Sequence, residues 1–223
     1  MTLRPTTGLF KNRKDAAEKL AHALGKYRNT NALVLGIPRG GAETAYYVAK
    51  YLNAELALVI TRKLGYPFNP EAAFGAVAED GSVYISETAR ETITTDEMND
   101  VLEQERVEIQ RRIQKLRRNK PLPNLKGRTV IITDDGIATG ATVLATIALC
   151  KKSKSRKIVV AAPIASRQIN NILSNEVDDV IILEMPSFYT SVSQGYEDFY
   201  NLTDHEALAF VDKWEKEHLI HPD

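Results

Sequence analysis

Two adjacent carboxylates, Asp134 and Asp135, stand where a β-branched apolar run gives way to small residues and hydroxyls: Val130-Ile131-Ile132-Thr133-Asp134-Asp135-Gly136-Ile137-Ala138-Thr139-Gly140-Ala141-Thr142. Ionised carboxylates only accept hydrogen bonds, so the pair suits sugar hydroxyls or metal-bound water and would repel a phosphate. The loop that follows has the opposite character. Its backbone N–H groups, the hydroxyls of Thr139 and Thr142, and the N-terminus of the helix it opens converge on one point, which makes a phosphate site. Solvated aspartates at an ordinary strand–helix turn are the plain alternative.

A second stretch has similar chemistry. Gly36-Ile37-Pro38-Arg39-Gly40-Gly41 follows an apolar strand and precedes a helix. Its glycines allow close backbone approach, and Arg39 adds a fixed charge with a fork of donors. A second anion near the first would fit here, although turns of this composition are common on their own. The basic pair Arg62 and Lys63 follows another strand. Gly65 to Val77, rich in Gly, Pro and Asn, reads as a mobile loop that enters a strand. Near the end, Phe188, Tyr189, Tyr196, Phe199 and Tyr200 form an aromatic cluster whose rings could face a ligand or pack on the core.

The elements that must hold these residues alternate. Apolar spacing predicts a helix over 10–24, with Ala16, Ala17, Leu20 and Leu24 on one stripe. A strand over 32–37, a helix over 40–52 and a strand over 56–61 imply parallel pairing with a right-handed crossover. Strands at 72–77 and 83–86 flank Glu79-Asp80-Gly81 and predict a hairpin. The capping box Thr94-Thr95-Asp96-Glu97 opens a long helix to about Arg118. The motif strand and its helix, 140–153, come next. Strands at 157–162 and 180–183 enclose a helix near 168–173, and a second capping box, Thr203 to Glu206, opens a last helix to about His218. The sum is an α/β fold with a doubly wound, mainly parallel sheet, a hairpin-plus-long-helix insertion and a C-terminal hood. One domain over 1–223 is expected, with the inserted flap at about 62–126 and the hood at about 184–202.

Bulk properties fit an enzyme that acts on small molecules. Lys plus Arg and Asp plus Glu each number 29, so the net charge is zero and neither a nucleic-acid nor a membrane partner is expected. No apolar run is long enough to span a bilayer, and Met1-Thr2-Leu3-Arg4-Pro5 has no apolar signal core, so a cytoplasmic location is expected. The single cysteine, Cys150, reads as packed rather than reactive. His218 and His221 have no cysteine or carboxylate at ligand spacing, which argues against zinc. The basic run Arg111 to Arg118 follows Glu103, Glu105 and Glu108, an order that complements a helix dipole.

The order apolar strand, two acids, then Thr-Gly-x-Thr resembles the 5-phosphoribosyl-1-pyrophosphate (PRPP) motif of the type I phosphoribosyltransferases. Phe10 to Ala16, Asn69-Pro70-Glu71 with Gly75-Ala76-Val77, and Phe188 through Phe199 are similar to a bacterial and archaeal subgroup of that family whose members are predicted phosphoribosyltransferases without an assigned function. The resemblance implies that Asp134 and Asp135 are the catalytic pair and hold the ribose hydroxyls. It implies that Ala138, Thr139, Gly140, Ala141 and Thr142 wrap the 5′-phosphate. Pro38, Arg39, Gly40, Gly41, Arg62 and Lys63 would bind pyrophosphate, and Phe188, Tyr189 and Tyr196 would face the acceptor. The expected cofactor is Mg2+, held by PRPP and waters near the acidic pair rather than by direct protein ligands. The implied reaction moves ribose 5-phosphate from PRPP to a nitrogenous acceptor, a nucleobase in the first instance, with release of pyrophosphate, within nucleotide metabolism. No residue stands out as general base, although Glu71 is a candidate. A regulator that binds PRPP or a nucleotide without turnover is the alternative, and a homodimer stays open.

Overall fold

A computed structural model describes residues 9–219, apart from the side chains of Glu71 and Leu219. The readings on residues 1–5, on His221 and on the Glu71 carboxyl therefore lie outside the described residues. In chain order the elements are α1 (Arg13–Ala23), β1 (Leu33–Gly36), α2 (Gly40–Leu52), β2 (Glu55–Leu58), β3 (Thr61–Tyr66), β4 (Asn69–Ala78), β5 (Val83–Ile85), α3 (Glu87–Thr92), α4 (Thr95–Arg117), β6 (Thr129–Thr133), α5 (Ala141–Lys152), β7 (Lys157–Ile164), α6 (Arg167–Ser174), β8 (Asp179–Glu184) and α7 (Asp204–Leu219).

Every residue of β1 and β6 is buried, as expected for strands covered on both faces. They lie at the centre of a five-stranded parallel sheet ordered β2-β1-β6-β7-β8. Helices α1 and α2 cover one face through Leu20, Leu24, Tyr46 and Val48 against Val34, Ile131 and Val159. Helices α5 and α6 cover the other through Val143, Ile147 and Ile169 against Leu35, Ile132 and Val160. The strand order reverses between β1 and β6. In doubly wound sheets the crevice at the carboxyl ends of such strands is where ligands bind.

The insertion departs from the expected layout. The strand predicted over 56–61 ends at Leu58, where the chain leaves the parallel sheet: the Val59 N–H donates to the Gly36 carbonyl and the Ile60 N–H to the Glu79 carboxylate. Thr61, Arg62 and Lys63 open β3, the first strand of a separate antiparallel sheet ordered β3-β4-β5. The mobile loop expected from Gly65 to Val77, entering a strand, is therefore largely strand. Only its tip turns, and a register irregularity at Gly65 lets the backbone of Pro70 approach so closely that a β-carbon on the glycine would lie 2.5 Å from the Pro70 carbonyl oxygen. A bulge of this kind is where a strand tolerates proline and glycine. The predicted hairpin is present as β4 and β5.

Long helix α4 starts at the predicted capping box and packs Leu102, Ile109 and Leu116 on Leu64, Phe74 and Val77 of the small sheet. The buried ion pair of Arg117 with Glu79, at 2.7 Å, fixes its far end. The first helix begins at Arg13 rather than Phe10, because the Asn12 side chain caps it by accepting from the Asp15 N–H at 3.0 Å. Phe10 instead pairs with the C-terminal segment: its N–H donates to the Gly195 carbonyl. Cys150 is buried, and burial pushes its thiol up to about 12.

Candidate active site

The carboxyl ends of β1 and β6 open into a cleft of about 930 Å³. Residues 36–41 enter it from β1 and residues 134–142 from β6. The two loops are fitted to each other through the acidic pair. A β-carbon on Gly40 would overlap the Asp135 carboxylate, and one on Gly41 would lie 3.0 Å from Asp134 Oδ1. Only glycine allows the second helix to start this close to the two acids. The Pro38–Arg39 peptide is cis.

Both loops present free donors. The Ile137 N–H is held by the Ile164 carbonyl at 2.9 Å, which pins the start of the second loop to β7. Beyond it, among the described residues, no protein group accepts from the N–H groups of residues 138–143, and the first helical closure is Leu144 N–H to the Gly140 carbonyl. Gly140 has φ +76°, the left-handed conformation that aims these amides at one point, and Ile169 fills the space where a β-carbon would go. At the first loop the N–H groups of Arg39 and Gly40 are likewise without a protein acceptor among the described residues. Two adjacent helix N-termini with orphan N–H groups have the donor geometry that suits anions. The cations Arg39 and Lys63 line the same cleft, and among the described residues neither has an ion-pair partner. Arg62 also lines it, but Glu105 already holds its guanidinium at 2.7 Å.

The two acids differ in their surroundings. Asp135 is buried and ion-paired: Arg13 Nε donates to its Oδ2 at 2.7 Å. The Asp134 Oδ1 accepts from the Asp135 N–H at 2.8 Å. Burial, and then the charge of Asp135, hold the Asp134 carboxyl well above the ordinary carboxylate value, and Lys63 opposes them. Among the described residues no cluster of three or more His, Cys, Asp or Glu could hold a metal by itself.

The sequence profile of the phosphoribosyl transferase domain matches residues 8–193. The chain belongs to this family. A Mycobacterium tuberculosis protein (strain H37Rv) whose name provisionally describes a phosphoribosyl transferase, Rv0571c, is 40% identical over 207 residues, which is 92% of this chain and 47% of that protein. The counterpart in strain CDC 1551, MT0597, matches equally well. The chain thus spans about half the length of the curated relatives it matches. The crystal structure of TT1426 from Thermus thermophilus superposes with a TM-score of 0.78 at 35% identity, covering 92% of this chain and 98% of that one.

The cleft brings together all the residues assigned to the two anion loops except the deeper Gly41 and Ala141, and it includes Asp134, Asp135, Arg62 and Lys63. It does not bring in the aromatics assigned to the acceptor. Phe188 is exposed at 93% of its surface and outside the cleft. Tyr196 is buried against Phe10 and Phe199, and its hydroxyl donates to the Asp135 carbonyl. Tyr189 packs in the same cluster beside Gly136, with its hydroxyl buried and without a partner among the described residues. From the C-terminal segment the cleft is lined instead by Ser191, Val192, Ser193, Phe199, Asn201 and Leu202. The opposite wall is one face of α4, including Asp100, Val101 and Gln104, and the tip of the small sheet contributes Gly65, Tyr66, Pro67 and Pro70.

Arg13, which also lines the cleft, is another residue to which the sequence reasoning assigns no role. Its signal was present: it shares the buried stripe of α1 with Ala16, Ala17 and Leu20. A charge at such a position requires a partner.

Proposed function

We propose that this chain transfers ribose 5-phosphate from PRPP to a nitrogenous acceptor, a nucleobase in the first instance, and releases pyrophosphate. The observation that carries the reading is an acidic pair at the switch point of the sheet, flanked by two helix N-termini whose N–H groups lack acceptors. PRPP has the matching parts in the matching order: a 5′-phosphate, two ribose hydroxyls and a pyrophosphate.

In this reading the orphan N–H groups of residues 138–143 and the hydroxyls of Thr139 and Thr142 bind the 5′-phosphate. Asp134 and Asp135 accept from the ribose hydroxyls. Arg39, Gly40 and Lys63 bind the pyrophosphate, and Arg62 contributes when Glu105 releases it. The C1–O bond to pyrophosphate breaks with its electrons going to the leaving group. A C1–N bond forms from the acceptor's lone pair, and the acceptor loses a proton. Positive charge develops on the ribose between these events, as in glycoside chemistry. The negative acidic pair favours that charge, and the loops hold the reacting atoms in line. Mg2+ fits this donor set: with two carboxylates and no all-protein cage it would be held mostly by PRPP oxygens and waters beside Asp134 and Asp135, and it would neutralise the departing pyrophosphate. The tip of the small sheet, residues 65–70, acts as the lid that keeps water from the reacting ribose.

Mixing the chain with PRPP, Mg2+ and a panel of purine and pyrimidine bases tests this directly. Acceptor-dependent pyrophosphate release is expected. PRPP binding without release for every acceptor would instead make the chain a PRPP-binding regulator.

A further inference from the structure

Arg13 is 4% exposed and joins three parts of the molecule. Its Nε donates to Asp135 Oδ2 at 2.7 Å, and its Nη2 donates to the Tyr200 carbonyl at 2.6 Å. The guanidinium lies over the Phe199 ring, 4.2 Å from its centroid. Asp135 is held from its other end as well, since its carbonyl accepts from the Tyr196 hydroxyl. Around these contacts the hood is stitched to the residues before α1: Phe10 N–H to the Gly195 carbonyl at 2.9 Å, Glu197 N–H to the Phe10 carbonyl at 2.8 Å, and Asp198 N–H to the Lys11 carbonyl at 2.9 Å.

We propose that Arg13 is a positioning residue that ties the hood to the acidic pair, so that the orientation of the Asp135 carboxylate and closure of residues 195–202 over the cleft form one cooperative unit. Three features carry this. The planar fork of arginine serves two acceptors in different directions while stacking on a ring, which a lysine cannot do. The hood residues it touches or adjoins, Phe199, Asn201 and Leu202, are among those that line the cleft. Half-buried Glu43 feels the charges of both Arg13 and Asp135, so without Arg13 the mutual repulsion of these two carboxylates would lose its offsetting cation.

The consequence for transfer rests on the proposed function, but the structural link does not, so the decisive test uses no turnover. Hydrogen exchange is followed in the ligand-free wild type, Arg13→Gln, Arg13→Lys, Asp135→Asn and the Arg13→Gln/Asp135→Asn pair, each first shown to melt cooperatively. Hood amides of residues 195–202 should exchange at least about tenfold faster in both Arg13 variants, while those of α5 stay as in the wild type. Asp135→Asn should loosen the same amides, and the double variant should be no looser than Arg13→Gln alone. Arg13→Lys keeps a cation beside Asp135, so it carries the test if Arg13→Gln does not fold. Unchanged hood protection in a folded Arg13 variant, or additive loosening in the double variant, would overturn the proposal. Failure of the wild type to release pyrophosphate would sink the function proposed above and leave this result standing.

Discussion

Gly40 and Asp135 are in such close contact that the first residue of α2 has no room for a side chain. The glycine lets the N-terminus of one helix sit against a carboxylate that belongs to the loop opening another. The two helix N-termini are therefore adjacent because Gly40, like Gly41 beside Asp134, lacks a β-carbon.

Gly40→Ala should displace Asp135 and weaken PRPP binding by at least about tenfold, or about 1.4 kcal/mol. Gly25→Ala is the control, because nothing lies within 4 Å of its would-be β-carbon. Calorimetric titration with PRPP distinguishes them. Equal affinity in both variants would mean that the close contact has no bearing on the ligand.

Thr139→Ala with Thr142→Ala removes two hydroxyls beside the orphan amides of the second loop. Loss of hydrogen bonds to a charged phosphate should weaken PRPP or nucleoside monophosphate binding by roughly 1–3 kcal/mol. Unaltered affinity would count against the 5′-phosphate assignment.

Stability should respond to Asp134 in a defined direction. Burial and the neighbouring Asp135 raise the affinity of its carboxyl for a proton in the folded state above the ordinary value of 3.8. The native chain then binds more protons than the unfolded chain, so this contribution to stability is complete below the ordinary value and is lost as pH rises through the folded one. Asp134→Asn removes the titration. Its melting temperature should exceed that of the wild type at neutral pH, with the gap closing towards pH about 4. Glu43 and Glu79 are also raised by burial, but they are common to both proteins and cancel in the difference. A gap that is constant with pH would contradict the reading.

Much of the site was legible because each of its parts needs a particular residue at a particular place. A helix that starts against two acids demands Gly40, and a left-handed turn before α5 demands Gly140. An apolar strand ending in Asp134 and Asp135 marks the carboxyl edge of a sheet. The small sheet was less legible. Thr61 to Tyr66 mixes charge, glycine and aromatic in a strand, since one edge of it faces the cleft and only Leu64 and Thr61 are buried. The hood was least legible. Tyr196 and Phe199 have the same composition signal, yet one ring is buried beneath the cleft and the other lines it. Contacts across 122 residues, such as Arg13 to Asp135, have no local sequence pattern to reveal the partner.

The tip of the small sheet gives a fourth expectation. Amides of residues 65–70 should exchange more slowly once PRPP and Mg2+ are bound, because closure would shield them. Equal exchange with ligand shown to be bound would remove the lid from the account.

The central claim is that the acidic pair supports charge on a transferring ribose rather than merely holding sugar hydroxyls. Hydroxyls are present in ground and transition states alike, whereas ring charge develops only in the latter. The most direct measurement is pyrophosphate release with PRPP, Mg2+ and an accepted base, compared between the wild type and the Asp134→Asn/Asp135→Asn double variant, with PRPP affinity measured alongside. Turnover should fall by at least roughly tenfold, about 1.4 kcal/mol, while affinity changes less. Equal loss of rate and affinity would show that the pair serves uniform binding and would contradict the account.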